Sequence, residues 1–196
     1  MMSRNIDQSE EEREIPDLDI HIQNVVASGS LDQTFNLNDI QKVFVTTEYN
    51  PKRFPGLVFR LKRPKTSTLI FNSGKMVCTG AKSAKMARRA IRKVVRKLKD
   101  NGIIVLGKPE ITIQNIVASG NLRGNVDLEM AADLLENVMY EPEQFPGLIY
   151  RMREPKVVLL IFASGKIVCT GAKSDAMVHE AVHKLWTVLD DYALFF

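Results

Sequence analysis

Side chains that could bind a metal or attack a substrate are few in this sequence, and none forms a convincing catalytic set. His179 and His183 stand four residues apart, a spacing that on a helix puts two imidazoles on one face, as in some metal sites. Arginine occupies both matching positions of a similar, earlier segment, and no third ligand is apparent. We therefore expect no metal at these histidines.

Two glycine-containing motifs bear a superficial likeness to phosphate-binding loops. Ser73-Gly-Lys75 and Thr79-Gly-Ala-Lys82 place a hydroxyl and an amine near a flexible backbone, but neither has the spacing of a nucleotide-binding loop. The residues that occur twice in the sequence include no paired carboxylates, no nucleophile beside a base and no cofactor fingerprint. The sequence therefore predicts a protein without catalysis or a cofactor, and turnover of a nucleotide or glycosidic substrate would reopen the alternative of an enzyme.

Most of the polar groups worth attention occur twice, at a constant offset of 91 residues. The segment Ile22-Gln-Asn-Val-Val-Ala-Ser-Gly29 returns as Ile113-Gln-Asn-Ile-Val-Ala-Ser-Gly120, and Val77-Cys-Thr-Gly-Ala-Lys-Ser83 returns unchanged from Val168 to Ser174. Without gaps, 36 of the 80 residue pairs between 20–99 and 111–190 are identical. Such self-similarity indicates an internal duplication. We expect an N-terminal tail at 1–15, a first repeat at 16–106 and a second at 107–196.

The same elements are predicted in each repeat. Residues 20–28 are apolar and β-branched, as in a strand, and 37–47 have helical spacing. Three or four short strands follow near 57–63, 67–72 and 75–80, separated by Pro-Gly, Pro and Ser-Gly turns. Residues 84–99 form a long amphipathic helix with a basic outer face. That face is either a solvated surface or a site for a protein partner or flanking DNA.

Charge is distributed unevenly between the repeats. Residues 1–15 carry a net charge of −3, residues 16–106 carry +11 and residues 107–196 carry −4. A polyanion suits the first repeat, whereas the acidic second repeat suits a protein partner. With no apolar run long enough for a membrane span, no secretory leader and only two cysteines, Cys78 and Cys169, we expect an intracellular protein with both thiols in the core.

Two helices per repeat can cover only one face of a sheet, yet the predicted strands are apolar on both faces. In Lys75-Met-Val-Cys-Thr79, Val77 and Thr79 share the face opposite Met76 and Cys78. An exposed apolar face of this kind usually marks a binding surface. The minor groove of A·T-rich DNA suits it, because that groove presents only acceptors, which a few donors among aliphatic side chains can contact. A single-stranded or RNA ligand is the alternative.

The doubled motifs also carry a family resemblance. Together with Tyr49-Asn-Pro-Lys-Arg-Phe-Pro-Gly-Leu57, Leu69-Ile-Phe71 and their counterparts, they resemble the TATA-box-binding protein family, in its archaeal branch, from about Ile15 to Leu189. The resemblance implies an α+β fold: a pseudo-twofold saddle of two tandem β-α-β-β-β-β-α repeats, with one continuous ten-stranded antiparallel sheet and helices on the convex face. Members are known to insert apolar side chains between base steps and kink the duplex.

Carried over position by position, the resemblance implies four groups of DNA-contacting residues. The side chains inserted into base steps are Phe54, Phe71, Phe145 and Phe162. The central hydrogen-bonding groups are Asn24, Asn115, Thr79 and Thr170. Aliphatic groove contacts are Val26, Val117, Leu69, Leu160, Val77 and Val168. Phosphate contacts are Arg60, Lys75, Lys82, Arg151, Lys166 and Lys173, with Ser73 and Ser164 beside them.

The resemblance also implies partners and a cellular role. Double-stranded promoter DNA is the expected ligand, transcription factor B is expected at Glu141 and Glu143, and RNA polymerase is expected indirectly. The expected function is to bind and bend A·T-rich TATA elements and so to nucleate assembly of the transcription preinitiation complex. We expect a monomer on DNA, with a homodimer off DNA left open. The location would be the cytoplasm, at the nucleoid, in an archaeon and the nucleus in a eukaryote.

Overall fold

The computed structural model describes residues 15–196, so nearly all of the predicted acidic tail lies outside the described residues. The first repeat contains β1 (His21–Ser30), α1 (Leu37–Val43), β2 (Leu57–Lys62), β3 (Lys65–Ile70), β4 (Lys75–Ala81) and α2 (Ala84–Asp100). The second contains β5 (Glu110–Asn121), α3 (Leu128–Leu134), β6 (Val138–Met139), β7 (Leu148–Met152), β8 (Val157–Ile161), β9 (Lys166–Ala172) and α4 (Asp175–Asp191). The α+β saddle with helices on one face is confirmed.

All nine strands in the described part of the chain belong to one sheet, ordered β2-β3-β4-β1-β5-β9-β8-β7-β6, and its pairs are antiparallel. The two repeats join where β1 pairs with β5, and there Val25 lies opposite Ile116, its own counterpart at an offset of 91. A residue paired with its counterpart marks the pseudo-twofold axis. The sheet is therefore continuous across the duplication.

The sheet has nine strands where ten were expected, because one short strand is missing from the first repeat. At the position of β6 the first repeat has a single bridge, between Glu48 and Val58. The equivalent pair in the second repeat, Met139 and Ile149, is flanked by a second pair and forms a strand. One pair of residues is too short to count as a strand, so the difference is one of length, and the chain follows the same path.

The helix predicted at 37–47 is also shorter than expected and ends at Val43. Phe44 closes it with φ −113° and ψ 79°, outside the helical region, and its ring packs edge-to-face on Phe59 at 5.0 Å. The segment from Val43 to Thr47 is β-branched or aromatic throughout, and such residues lose side-chain freedom in a helix. Tertiary packing of Phe44 and weak helix propensity together explain the early stop.

The core lies between the sheet and the helices. Strand residues alternate, so that Val25, Ala27, Met76 and Cys78 are buried against the helices. On α2 the buried stripe consists of Ala87, Ala90, Ile91, Val94, Val95 and Leu98, as its spacing predicts. Ser83 and Ser174, identical in the two repeats, accept hydrogen bonds from backbone N–H groups and cap α2 and α4. None of the helices within residues 15–196 is long and apolar enough to cross a membrane.

The tight turn between β3 and β4 depends on Gly74. Its φ is +82°, and a Cβ there would lie 2.3 Å from the carbonyl oxygens of Leu31 and Gln33. Gly102 has the same φ of +82°, but a Cβ at that position would have no other atom within 4 Å. We expect Gly102→Ala to cost only the left-handed backbone conformation, about 1–2 kcal/mol, and Gly74→Ala to cost about 3–4 kcal/mol in the free energy of unfolding. Urea unfolding measures both, and equal losses would contradict the steric explanation.

Candidate nucleic-acid interface

The face of the sheet opposite the helices, here called the open face, carries an aliphatic surface. Strand alternation places the predicted groove-contacting side chains there, each only partly buried in the absence of a ligand: Val26, Val117, Leu69, Leu160, Val77 and Val168. The sequence did not single out Val58, Ser67, Ile149 and Val158, which lie on the same face. Together they form a surface on which apolar contact dominates.

Two identical polar centres interrupt this surface, one on each side of the pseudo-twofold axis. Asn24 donates from Nδ2 to Thr79 Oγ1 at 3.2 Å and accepts from the Gly80 backbone N–H at 2.8 Å. Asn115 makes the same bonds, to Thr170 Oγ1 at 3.2 Å and from the Gly171 N–H at 2.7 Å. Both amide planes are therefore fixed in orientation. With Oδ1 occupied by a backbone donor, each Nδ2 has one proton left to present outward.

A second pair of polar contacts crosses the axis itself. Gln23 donates from Nε2 to Ser119 Oγ at 2.7 Å, and Gln114 donates to Ser28 Oγ at 2.7 Å. No role was predicted for these residues from the sequence, although all four belong to the repeated motif. They tie the two repeats together on either side of the asparagine centres and keep those centres at a constant separation.

Phenylalanines lie in two pairs, one in each repeat. Phe54 and Phe71 are 6.0 Å apart between ring centroids at 66°, and Phe145 and Phe162 are 5.9 Å apart at 68°. Phe54 and Phe145 are 43% and 37% exposed, large fractions for aromatic side chains next to a core. The glycine of each Pro-Gly turn makes room for them, since a Cβ on Gly56 would lie 2.7 Å from the Phe54 ring.

Basic side chains surround a cleft on each half of the open face. The two clefts have volumes of about 770 and 850 Å³, and each contains one asparagine centre. Four basic residues line each cleft at equivalent positions: Arg60, Lys62, Lys65 and Lys82 in the first, and Arg151, Arg153, Lys156 and Lys173 in the second. Lys62, Lys65, Arg153 and Lys156 were not predicted as contacts, although their repetition at the same offset was a usable signal.

The other predicted phosphate contacts lie next to the phenylalanines. Ser73 and Lys75 line a cleft with Phe71, while Ser164 and Lys166 line its counterpart with Phe162. All eight predicted phosphate-contacting residues are exposed. Lys82 and Lys173 are held in place by hydrogen bonds to the carbonyl oxygens of Gln23 and Gln114, at 2.8 and 2.7 Å. Arg60 differs from its counterpart because it forms an ion pair with Glu48.

Comparison with known proteins agrees with this geometry. The family model described as Transcription factor TFIID (or TATA-binding protein, TBP) matches twice, at residues 19–101 and 110–192. The chain belongs to this family. Each match corresponds to one of the two repeats, which confirms the resemblance drawn from the doubled motifs.

Individual TATA-binding family members are similar over most of their length. The TATA-box-binding protein of Pyrodictium occultum is 60% identical over 169 residues, covering 86% of this chain and 85% of that protein. That of Sulfolobus acidocaldarius is 56% identical over 170 residues, covering 87% and 86%. A solved structure, Methanococcus jannaschii TBP, has a TM-score of 0.81 and 47% identity and covers 88% of this chain and 99% of that one. These relatives are archaeal, in agreement with the predicted branch.

The loop that precedes β7 differs in charge from the equivalent loop of the first repeat of this TATA-binding family member. Glu141 and Glu143 are exposed there, whereas the equivalent loop before β2 carries Asn50 and Lys52. The carbonyl oxygen of Glu141 accepts hydrogen bonds from the Gln144 and Phe145 N–H groups, both at 2.9 Å. The acidic loop and the exposed Phe145 are therefore parts of one local structure.

His179, His183 and both cysteines lie outside the open face. The rings of His179 and His183 are 6.2 Å apart on α4, and within residues 15–196 no group of three His, Cys, Asp or Glu residues could hold a metal. Cys78 and Cys169 are free and fully buried, as predicted. Burial raises the pKa of the Cys169 thiol to about 11, so it stays protonated at neutral pH and is a poor nucleophile.

Proposed function

We propose that this protein binds TATA elements of promoter DNA in transcription initiation, with the open face of its sheet against the minor groove. The observation that carries the proposal is the duplicated arrangement of asparagine centre, aliphatic surface and phenylalanine pair on one side of a continuous sheet. Membership of the family, whose description names TATA binding, supports the same ligand.

Each asparagine centre supplies a sparse donor set suited to the minor groove. The outward Nδ2 proton of Asn24 or Asn115 would meet an acceptor at adenine N3 or thymine O2, and these are equivalent for A·T and T·A pairs. Guanine adds a donor in that groove, which would face the same amide proton and disfavour G·C pairs. The surrounding valines and leucines would contact sugars and base edges. A preference for A·T without exact base readout follows.

The phenylalanine pairs would bend the DNA. An apolar wedge that enters a base step unstacks it and kinks the duplex, and flexible TA steps yield at the lowest energetic cost. The exposed basic residues of both clefts, including Lys62, Lys65, Arg153 and Lys156, would neutralise phosphates on the bent backbone. The predicted boundaries 16–106 and 107–196 then assign one half of the binding site to each repeat.

Selection from a random pool of duplexes tests the proposed function. Enriched sequences should share an A·T-rich element with a TA step, and a gel-shift competition should favour that duplex over either of its single strands. Selection of a G·C-rich element, or stronger binding to single-stranded or RNA competitors, would refute minor-groove recognition. The proposal concerns DNA binding only, so it does not depend on whether the protein turns over any substrate.

The bound protein would act through partners, as a monomer on DNA. We propose that the acidic loop around Glu141 and Glu143 binds transcription factor B, which brings RNA polymerase indirectly and nucleates the preinitiation complex. Because the open face is nearly twofold, a contact with only one of the two loops would also give the complex a direction. A nucleoid location in an archaeal cell agrees with this role.

Reversing the charges of this loop tests the contact. Glu141→Lys with Glu143→Lys should weaken recruitment of transcription factor B to the DNA complex about tenfold, because two attractive charges become repulsive. Affinity for DNA alone should stay equal or rise slightly. The matched control, Lys52→Glu with Arg53→Glu in the first loop, should leave recruitment unchanged. A supershift assay measures both steps, and loss of DNA binding alone in the first variant would contradict the assignment.

A further inference from the structure

The two clefts of the open face differ at one ion pair. In the first repeat, Arg60 donates from both terminal nitrogens of its guanidinium to both carboxylate oxygens of Glu48, at 2.5 and 3.2 Å. This parallel arrangement is the one that an arginine adopts with a phosphate group. The side chains of Arg60 and Glu48 are 54% and 66% exposed, so an incoming DNA backbone could reach them.

Backbone pairing explains why Glu48 is in reach of Arg60. The single bridge of the first repeat joins Glu48 to Val58 through hydrogen bonds of 3.2 and 2.8 Å. Residues that lie directly opposite each other share a face of the sheet, and residues two apart on a strand do so as well. Glu48, Val58 and Arg60 therefore all lie on the open face. The carboxylate is placed there by the fold.

The second repeat lacks this anion. The position equivalent to Glu48 is Met139, which pairs with Ile149 in the same register. Arg151, the counterpart of Arg60, forms no side-chain hydrogen bond or ion pair with any residue between 15 and 196. Two arginines at identical positions thus differ in the free protein: one is occupied and the other is available.

We propose that Glu48 acts as an internal substitute for a DNA phosphate. The two halves of the open face then bind the duplex with unequal strength, and the second repeat binds it more strongly. The inference rests on the proposed function. A phosphate that binds Arg60 must displace Glu48, which then takes up a cation from solution. The gain from counterion release at that phosphate is thereby offset, whereas Arg151 binds its phosphate without this competition.

The carboxylate remains ionised over the range in which DNA binding is measured. The hydrogen bonds and the charge of Arg60 lower the pKa of Glu48 below its usual value, and Glu48 in turn raises the pKa of Arg60. Both charges persist at neutral pH, so competition with phosphate depends on salt and on the residue at position 48.

Exchanging the residues between the repeats provides the test, with binding to one A·T-rich duplex measured across a salt series. Glu48→Met should strengthen binding about twofold to fivefold and steepen the slope of log affinity against log salt by about one. The matched variant Met139→Glu should weaken binding and make the slope shallower by a similar amount. Both positions are exposed, and urea unfolding checks that stability is unaltered.

Removal of Arg60 separates competition for this arginine from a general effect of charge. Arg60→Ala should weaken DNA binding more in the Glu48→Met background than in the unaltered protein. A gain from Glu48→Met that persists without Arg60, or no gain at all, would overturn the inference while leaving preference for the A·T duplex intact. If neither protein distinguishes that duplex from a scrambled one, the proposed function fails and the inference fails with it.

Discussion

The Phe145→Ala, Phe162→Ala double variant is expected to leave the duplex unkinked at the end contacted by the second repeat. The centroids of the two rings are 5.9 Å apart and Phe145 is 37% exposed. Removal of the rings therefore takes away the wedge without opening the core. The remaining pair in the first repeat would still kink its own step. The total bend should then fall by about half, and removal of all four rings should abolish it.

Energy transfer between dyes at the two DNA ends measures this bend, and saturating protein separates bending from affinity. Affinity should also fall, by about tenfold to a hundredfold, because stacking of an aromatic ring on a base is worth about 1–3 kcal/mol and part of that offsets the unstacking of the step. Phe54→Ala with Phe71→Ala is the matched control. It should remove the kink at the end contacted by the first repeat and leave the kink at the other end. Unchanged energy transfer in the variant that lacks all four rings would show that the phenylalanines do not kink the DNA.

Loss of the central amides is expected to be equally severe for binding. Asn24→Asp with Asn115→Asp keeps an acceptor for the Gly80 and Gly171 N–H groups, so the fold should be retained. The outward donor disappears at both centres and a negative charge faces the acceptors of the groove. With about 1–3 kcal/mol lost for each of the two base contacts, affinity for an A·T-rich duplex should fall by at least about thirtyfold.

The alanine variants at the same two positions distinguish the structural role of the amides from the DNA role. Asn24→Ala with Asn115→Ala leaves two backbone N–H groups without their acceptors. Because Gly80 is exposed and Gly171 is only partly buried, water replaces part of the lost bonding, and the cost is about 1 kcal/mol for each. The unfolding temperature should therefore fall for the alanine pair and stay close to that of the unaltered protein for the aspartate pair. Affinity that survives in the aspartate pair would show that the asparagine centres do not face the groove.

Local pattern was sufficient to predict the features of this fold that repeat. The strand expected at 20–28 is observed as β1 from His21 to Ser30, and the helix expected at 84–99 runs from Ala84 to Asp100. Alternation correctly separated Met76 and Cys78 from Val77 and Thr79. Each of these depends on periodicity within one element, and the duplication provided a second, independent copy of every pattern.

Several features that depend on specific contacts between residues far apart in the sequence were not predicted. The early end of α1 follows from the packing of Phe44 on Phe59, and the Gln23–Ser119 bond follows from the pairing of β1 with β5. The ion pair of Glu48 and Arg60 requires the bridge that brings residue 48 beside 58. A comparison of the repeats does reveal that Glu48 is replaced by Met139, but the sequence does not say which basic residue lies opposite.

The strand order also determines how far apart the two phenylalanine pairs lie. Phe71 follows β3 and Phe162 follows β8, and five strand-to-strand steps separate these two strands. At about 4.8 Å for each step the axes of the two strands are about 24 Å apart across the sheet. Every pair on the way is antiparallel, so β3 and β8 run in opposite directions, and Phe71 and Phe162 lie at opposite ends of their strands and farther apart than this. A duplex with one extra base pair between its two flexible steps would present only one of them at the correct distance. If the phenylalanines enter base steps as proposed, the number and length of the strands between them would set how long a recognised element is.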